Sequence, residues 1–179
     1  MKTPCDIRTD AGERAQRSVA GIWARSTARR DGIDPPLAAA EYLPGIQAAL
    51  SHAGASLQIV SDGGEAVGFS LVVPREDRLE LLHLAVDPAR WGEGIAQRLL
   101  RRLDDDAAER GYSTLELWAI DANDRAVALY KAAGWQSTGD VAVRGPAGRL
   151  ERRLIRLPLT RVTAGPGARR AHDPRGLGR

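Results

Sequence analysis

Gly92 and Gly94 stand two residues apart in the stretch ARWGEGIAQRLL, after a hydrophobic run and directly before a helical pattern. Glycines at a helix entry can simply turn the chain. They can equally bare several consecutive backbone N–H groups, which together with the positive end of the helix dipole bind a phosphate. Two of the three ligand classes that use this device do not match. A P-loop needs G-x-x-x-x-G-K-[ST], and no Lys, Ser or Thr follows the glycines. A dinucleotide turn needs G-x-G-x-x-G directly at the end of the first strand. Here Gln97 occupies the third glycine position, and five residues, 87–91, separate the strand from Gly92. The third ligand is coenzyme A, whose pyrophosphate can sit on such a turn while its pantetheine arm runs beside the preceding strand.

The elements that must hold this turn are legible from periodicity. Residues 4–10 predict a short strand, and residues 11–30 place Ala15, Val19, Ile22 and Trp23 at helical spacing. Pro35, Pro36 and Pro44 break the next segment into a loop and one or two short helices, a suitable cover for a substrate. Two β-rich runs around Asp62, Gly63 and Gly64 predict a hairpin, and a third run covers RLELLHLAVDP. From Gly94 onward Ile95, Leu99, Leu100, Leu103 and Ala107 recur at helical spacing, and Gly111 closes the helix. STLELWAI alternates as a strand with Leu115, Leu117 and Ala119 on one face. NDRAVALYKAAGW predicts a second helix, with Asn123 as N-cap and Gly134 as the left-handed residue at its end. WQSTGDVAV and RRLIRLPLTRV close the order as paired strands around RGPAG. The expected fold is mixed α/β (α+β), with helices packed on a largely antiparallel sheet.

The chain has 179 residues, 43% hydrophobic and 27% charged, which suits one ordinary globular domain. Its net charge of +3 is uneven: residues 161–179 carry Arg161, Arg169, Arg170, Arg175 and Arg179 against Asp173, a net +4, leaving residues 1–160 near −1. The expected organisation is a domain over residues 1–160 and a disordered Arg/Gly/Pro-rich tail over 161–179. The totals do not support a basic domain surface for nucleic acid. A single cysteine, Cys5, allows no internal disulfide and supplies too few ligands for a cysteine-based metal site. With neither an apolar leader nor a run of roughly 20 apolar residues, the expectation is a cytoplasmic protein without membrane contact.

The segment LLHLAVDPARWGEGIAQRLLRRL, followed by LELWAIDANDRAVALYKAAGW, resembles the GCN5-related N-acetyltransferases. Their helix-opening pattern [QR]-x-x-G-x-[GA] falls on Trp91, Gly94 and Ala96, with Trp91 departing from the usual Gln or Arg. Their second pattern, N-x-x-A-x-x-L-Y-x-x-x-G-[FW], is matched in full by Asn123, Ala126, Leu129, Tyr130, Gly134 and Trp135. The resemblance is strong over residues 79–138. It implies that the strand ending at Val86 splays from the strand over 115–120, with the acetyl-CoA arm entering the gap. On that reading the backbone of Leu84, Ala85 and Val86 pairs with the acetyl and pantetheine amides, the Leu84 N–H polarising the thioester carbonyl. The turn formed by Trp91, Gly92, Glu93, Gly94, Ile95, Ala96 and Gln97 would hold the pyrophosphate, and Asn123, Ala126 and Tyr130 would face the cofactor.

The implied reaction is direct transfer of acetyl from acetyl-CoA to a primary amine, of a small molecule or a protein, with no metal and no covalent enzyme intermediate. Tyr130 would protonate the leaving thiolate. An attacking amine of pKa about 10.4 must lose a proton near neutral pH. Glu80, four residues before Leu84, stands where the histone-acetylating branch of the family has its base, and a carboxylate among leucines would have a raised pKa. Alternation puts Glu80 on the face of Leu82 and Leu84, and His83, a second candidate, on the other face. Glu116, facing solvent, is a third. An acyl-CoA-binding sensor or interaction module without turnover is the alternative from another class. The acceptor site is expected from STARRDGIDPPLAAAEYLPGI and the loop after DVAVRGPAG, and the reading leaves room for a homodimer.

Overall fold

Seven alternating or continuously apolar runs become strands, and four segments of helical period become helices. In the computed structural model, which describes residues 6–145 and 147–157, these are β1 (Asp6–Thr9), α1 (Glu13–Asp31), α2 (Leu43–Leu50), β2 (Ser56–Asp62), β3 (Glu65–Pro74), β4 (Leu79–Val86), α3 (Ile95–Glu109), β5 (Leu115–Ile120), α4 (Asp124–Ala132), β6 (Gln136–Arg144) and β7 (Arg149–Arg156). Short 3-10 turns at Ala39–Tyr42 and Pro88–Arg90 precede α2 and α3. The element order is the one periodicity predicts. Cys5 and the basic tail lie outside the described residues, as does the end of the expected last strand.

The strands form one sheet in the order β1-β2-β3-β4-β5-β7-β6. Every neighbouring pair is antiparallel except β4 with β5. Apolar residues on both faces of the central strands require cover on both sides. On one face Leu79, Leu81, Leu115, Leu117 and Leu154 pack against Leu100, Leu103 and Ala107 of α3 and Val127 and Tyr130 of α4. On the other, Phe69, Leu71 and Val73 pack against Val19 and Ile22 of α1 and Ile46 of α2. Full burial of each such side chain contributes roughly 1.5–3 kcal/mol, so these two layers fix where α1 and α3 lie.

The parallel pair is short. β4 meets β5 only at Leu79, Glu80 and Leu81, opposite Leu115, Glu116 and Leu117. Beyond that seam the two strands have no partner on their facing edges, which is the splay the resemblance implies. The cause lies in β4's other edge: Leu71 of β3 faces His83, yet the next residue, Val72, faces Leu81, so Leu82 is an extra, bulged residue. A bulge bends and overtwists its strand, turning β4 away from β5.

The bulge also overturns the strict alternation expected along β4. Glu80 lies opposite Val73, on the α1 face, and Leu82 packs on that same face. His83 stacks on Trp23 of α1 with ring centroids 3.9 Å apart, so it shares the face of Glu80 instead of opposing it. Leu84 packs on the α3 face together with Val86, not with Glu80. One inserted residue shifts the period-2 pattern by one from His83 onward.

Candidate functional site

One cavity of about 1330 Å³ passes through the split between β4 and β5, and is lined on one side by the turn before α3 and on the other by α1 and the β6–β7 end. At the turn, Gly92 and Gly94 adopt φ +91° and +76°, a region that β-carbons disfavour. A Cβ at Gly92 would meet nothing within 4 Å, so the backbone there faces open space. No side chain caps α3 at Gly94, which leaves the first-turn N–H groups of Ile95, Ala96 and Gln97 without helical acceptors. Gly92, Gly94, Ile95, Ala96 and Gln97 all line the cavity. Such a cradle of open backbone and free donors can receive an anion.

Around the cradle the sequence-predicted residues separate into distinct environments. Trp91 packs beside the small core of Val60, Val67, Val86, Ile95 and Leu99, and its Nε1 donates to the Val86 carbonyl at 2.8 Å. Glu93 accepts from Arg90 at 2.9 and 2.7 Å, and so turns its carboxylate into an ion pair. The Asn123 side chain caps α4 by accepting from the Ala126 N–H at 3.2 Å, while both residues line the cavity. Leu84, Ala85 and Val86 line it along the unpaired edge of β4.

Tyr130 is 8% exposed, lies against Trp135 with ring centroids 6.0 Å apart, and lines the cavity from the α4 side. Its hydroxyl makes no hydrogen bond among the described residues, and burial pushes its pKa up to about 12. The phenol therefore holds its proton throughout the neutral range.

On the α1 face the surroundings of Glu80 differ from expectation. The residue is buried, yet its Oε2 accepts from Arg75 Nε at 2.6 Å, and its Oε1 lies 3.7 Å from an Arg144 nitrogen. Two guanidinium groups, not leucines alone, surround the carboxylate, because the β3–β4 turn and the end of β6 converge there. No hydrogen bond to Glu80 Oε1 forms among the described residues, and the residue lines the cavity. Glu116, expected to face solvent, is 5% exposed and ion-paired to Arg153 and, at 3.0 Å, to Arg78. The β5–β7 and β4–β5 pairings bury it. His83 lines the cavity, and burial lowers its pKa to about 4, so its imidazole is neutral at pH 7.

Several cavity residues, Glu151, Trp118 and Trp23 among them, carry no mark of the site in the sequence. Glu151 of β7 lies opposite Ile120 of β5, and burial raises its carboxyl above the ordinary range while Arg144 and Arg30 oppose the shift. Trp118 carries the Arg144 guanidinium 4.5 Å above its ring. Trp23 pairs with Tyr42 as well as His83. Only strand pairing brings Glu151 and Trp118 to the site, and no local pattern signals that. The two stretches expected to form the acceptor side do converge: Ser26, Asp31, Ile33, Glu41 and Tyr42 line the cavity together with Gly145, Ala147 and Arg149. Arg149 closes the junction with a bidentate pair to Asp31 at 3.0 and 2.7 Å.

Among the described residues no group of three or more His, Cys, Asp or Glu side chains could hold a metal ion. No helix there is long and apolar enough to cross a membrane.

The sequence pattern of the acetyltransferase (GNAT) family matches residues 18–135. The chain is 33% identical over 96 residues to human N-acetyltransferase 8B, a match covering 50% of this chain and 42% of that protein. It is 29% identical over 118 residues to rat N-acetyltransferase family 8 member 2, covering 63% and 50%. The chain thus spans about half the length, or less, of these curated relatives. Among solved structures, the ribosomal-protein-S18-alanine N-acetyltransferase of Escherichia coli superposes with a TM-score of 0.67 at 20% identity, covering 92% of this chain and 99% of that one. The PaiA N-acetyltransferase of Thermoplasma acidophilum, solved in complex with coenzyme A, gives 0.68 at 14% identity, covering 87% and 99%. These structures share the fold of the present chain.

Proposed function

The chain belongs to the acetyltransferase (GNAT) family, and from that premise we propose that it transfers the acetyl group of acetyl-CoA to a primary amine by direct attack within a ternary complex. The observation that carries this reading is the cavity through the split sheet, with an anion cradle at one mouth and an acidic, aromatic cleft at the other. A cofactor arm and an acceptor can then approach the same point from opposite faces. The fit of coenzyme A rests on the open backbone at Gly92 and the uncapped N–H groups of Ile95, Ala96 and Gln97.

In this reading residues 92–97 hold the pyrophosphate, Asn123 and Ala126 border the arm, and the free edge of Leu84, Ala85 and Val86 hydrogen-bonds its amides. The Leu84 N–H meets the thioester oxygen as it gains charge. Glu80, held at Oε2 by Arg75, uses Oε1 to take the proton of the acceptor ammonium, directly or through water. The neutral amine attacks the carbonyl carbon, the C–S bond breaks, Tyr130 gives its proton to the departing sulfur, and the proton the nitrogen sheds as the amide forms returns through water to the Tyr130 phenolate. Because a phenol near 12 is a weaker acid than a thiol of about 8–9, that transfer follows C–S cleavage closely and depends on position more than on acidity.

The test is acetyl-CoA consumption across a panel of amines and peptides, with initial rates measured against both substrates. Intersecting double-reciprocal lines support the ternary complex, and parallel lines would overturn it. Glu80→Gln and Tyr130→Phe are each expected to lower kcat about 10²-fold with little change in acetyl-CoA affinity. Binding of acetyl-CoA with no turnover of any amine would favour a non-catalytic acyl-CoA module instead.

A further inference from the structure

The cradle lacks the Gln or Arg side chain that the family's pattern places at its first position. Trp91 occupies that position, its indole N–H is spent on the Val86 carbonyl, and its side chain is half-buried against the core. The neighbouring Arg90 is neutralised by Glu93 at 2.7 Å and Asp62 at 2.9 Å. Neither side chain can serve a diphosphate without breaking its own contacts.

Across the cavity mouth, Arg125 fills the gap. It is the second residue of α4, is exposed, and places its guanidinium carbon 4.1 Å from the centroid of the Trp91 ring. It lines the same cavity as Gly92, Gly94, Ala96 and Gln97. Among the described residues no carboxylate pairs with it. Of the other arginines of the cavity, Arg30 and Arg149 close on Asp31 and Arg144 lies between Glu80 and Glu151, while Arg29 stands on α1 on the opposite side from the cradle. A cation in the first turn of a helix also opposes the positive end of the helix dipole. Arg125 is therefore held by the face of an aromatic ring, at an electrostatically unfavourable position, beside uncapped N–H groups that want an anion.

We infer that Arg125 is a ligand of the coenzyme A diphosphate, and that Trp91 is the platform which carries it there. The Arg125–Trp91 pair replaces, from α4, the basic or amide side chain that the turn itself lacks. Trp91 thus acts as a positioning residue in two directions: its N–H ties the turn to the end of β4, and its ring face orients the guanidinium over the cradle. A planar fork of N–H donors suits paired phosphate oxygens better than a lone ammonium would. This inference rests on the acetyl-CoA reading above.

Calorimetric titration of the full chain with coenzyme A, 3′-dephospho-coenzyme A and acetylpantetheine tests it. Arg125→Ala is expected to weaken coenzyme A at least tenfold, to weaken the 3′-dephospho form equally, and to leave acetylpantetheine unchanged. Trp91→Leu is expected to weaken coenzyme A severalfold in the wild-type background and clearly less once Arg125 is alanine, the remainder being the lost tie of the turn to β4; full additivity of the two substitutions would overturn the platform role. Arg125 is exposed, so retention of the wild-type Tm serves as the folding check. Unchanged affinity in Arg125→Ala, with normal wild-type binding, overturns the inference alone. A loss that disappears with the 3′-dephospho form moves the contact to the 3′-phosphate and overturns the diphosphate assignment. A wild-type chain that binds no coenzyme A overturns both the inference and the reading beneath it.

Discussion

At the scale of single residues, burial does most of the chemical tuning. Tyr130 and His83 carry no unusual neighbours in sequence, yet burial moves one pKa up to about 12 and the other down to about 4. For Tyr130 the consequence is a flat high-pH limb. The wild-type kcat profile should show no fall from this group between pH 8 and 11, and Tyr130→Phe should lower the plateau without changing its shape. A wild-type decline near pH 9–10 that vanishes in Tyr130→Phe would refute the buried, protonated phenol. For His83 the folded state disfavours the charged ring, so its contribution to stability is complete above about pH 6.5 and is lost as pH falls through 6.5 toward 4. The span is about 3 kcal/mol. Denaturant unfolding at pH 7, 5.5 and 4 should show that slope, and His83→Phe should flatten it. The residues themselves were legible as candidates, but their environments were not. Glu80 was expected among leucines and sits between Arg75 and Arg144, because the arginines arrive from turns distant in sequence or hidden in loop composition.

At the scale of elements, the turn before α3 and the bulge in β4 decide what the site can hold. The turn was readable in sequence, since Gly-x-Gly before a helical period has few uses. Gly92→Ala should cost about 1–2 kcal/mol through its positive φ and should place a methyl group in open space beside the cradle. The expected result is a fall in Tm of a few degrees and a loss of acetyl-CoA affinity beyond tenfold. Affinity equal to wild type would show that the turn does not face the ligand. The bulge at Leu82 was not readable, because a run of Leu, Leu, His and Leu has no local mark of where one extra residue enters. The end of α1 is a third deciding element. The Arg30 guanidinium, with Arg149 beside it, holds the Asp31 carboxyl down to about 2 against burial, and this ties α1 to β7 across the acceptor side. That link is present above about pH 4 and fails only as pH falls toward 2. Asp31→Asn should raise the acceptor KM severalfold while leaving the acetyl-CoA KM unchanged. Equal effects on both would mean that Asp31 serves general stability.

At the scale of the molecule, two strand sets, β1–β4 and β5–β7, share a parallel seam of three residue pairs. A short seam lets the sheet open without losing either core, since α3 and α4 pack across it on one face. A ligand that fills the opening should therefore stabilise the whole fold. Acetyl-CoA at about 100 times its Kd should add about 2.7 kcal/mol, visible as a rise in Tm. The basic tail over residues 161–179 lies outside the described residues, and a domain over residues 1–160, as expected from the sequence, predicts that it is dispensable. Truncation after residue 160 should leave acetyl-CoA affinity and Tm unchanged. A loss of either would extend the domain beyond that boundary.

The sequence by itself determined the element order, the glycine turn, the capped helix of Asn123 and the placement of Tyr130 on it. These depend on local conformational preference and on periodicities of 2 and 3.6 residues, which neighbours along the chain express without help. Only the tertiary structure decided that β4 bulges, that His83 shares a face with Glu80 and Leu84 does not, that Glu116 is buried between arginines, and that Glu151 and Trp118 reach the cavity. It also decided what Trp91 does, by setting Arg125 against it from a helix thirty-four positions further along the chain. Such outcomes depend on strand register and on which charged side chains meet across the sheet, and both are fixed only when distant segments pack.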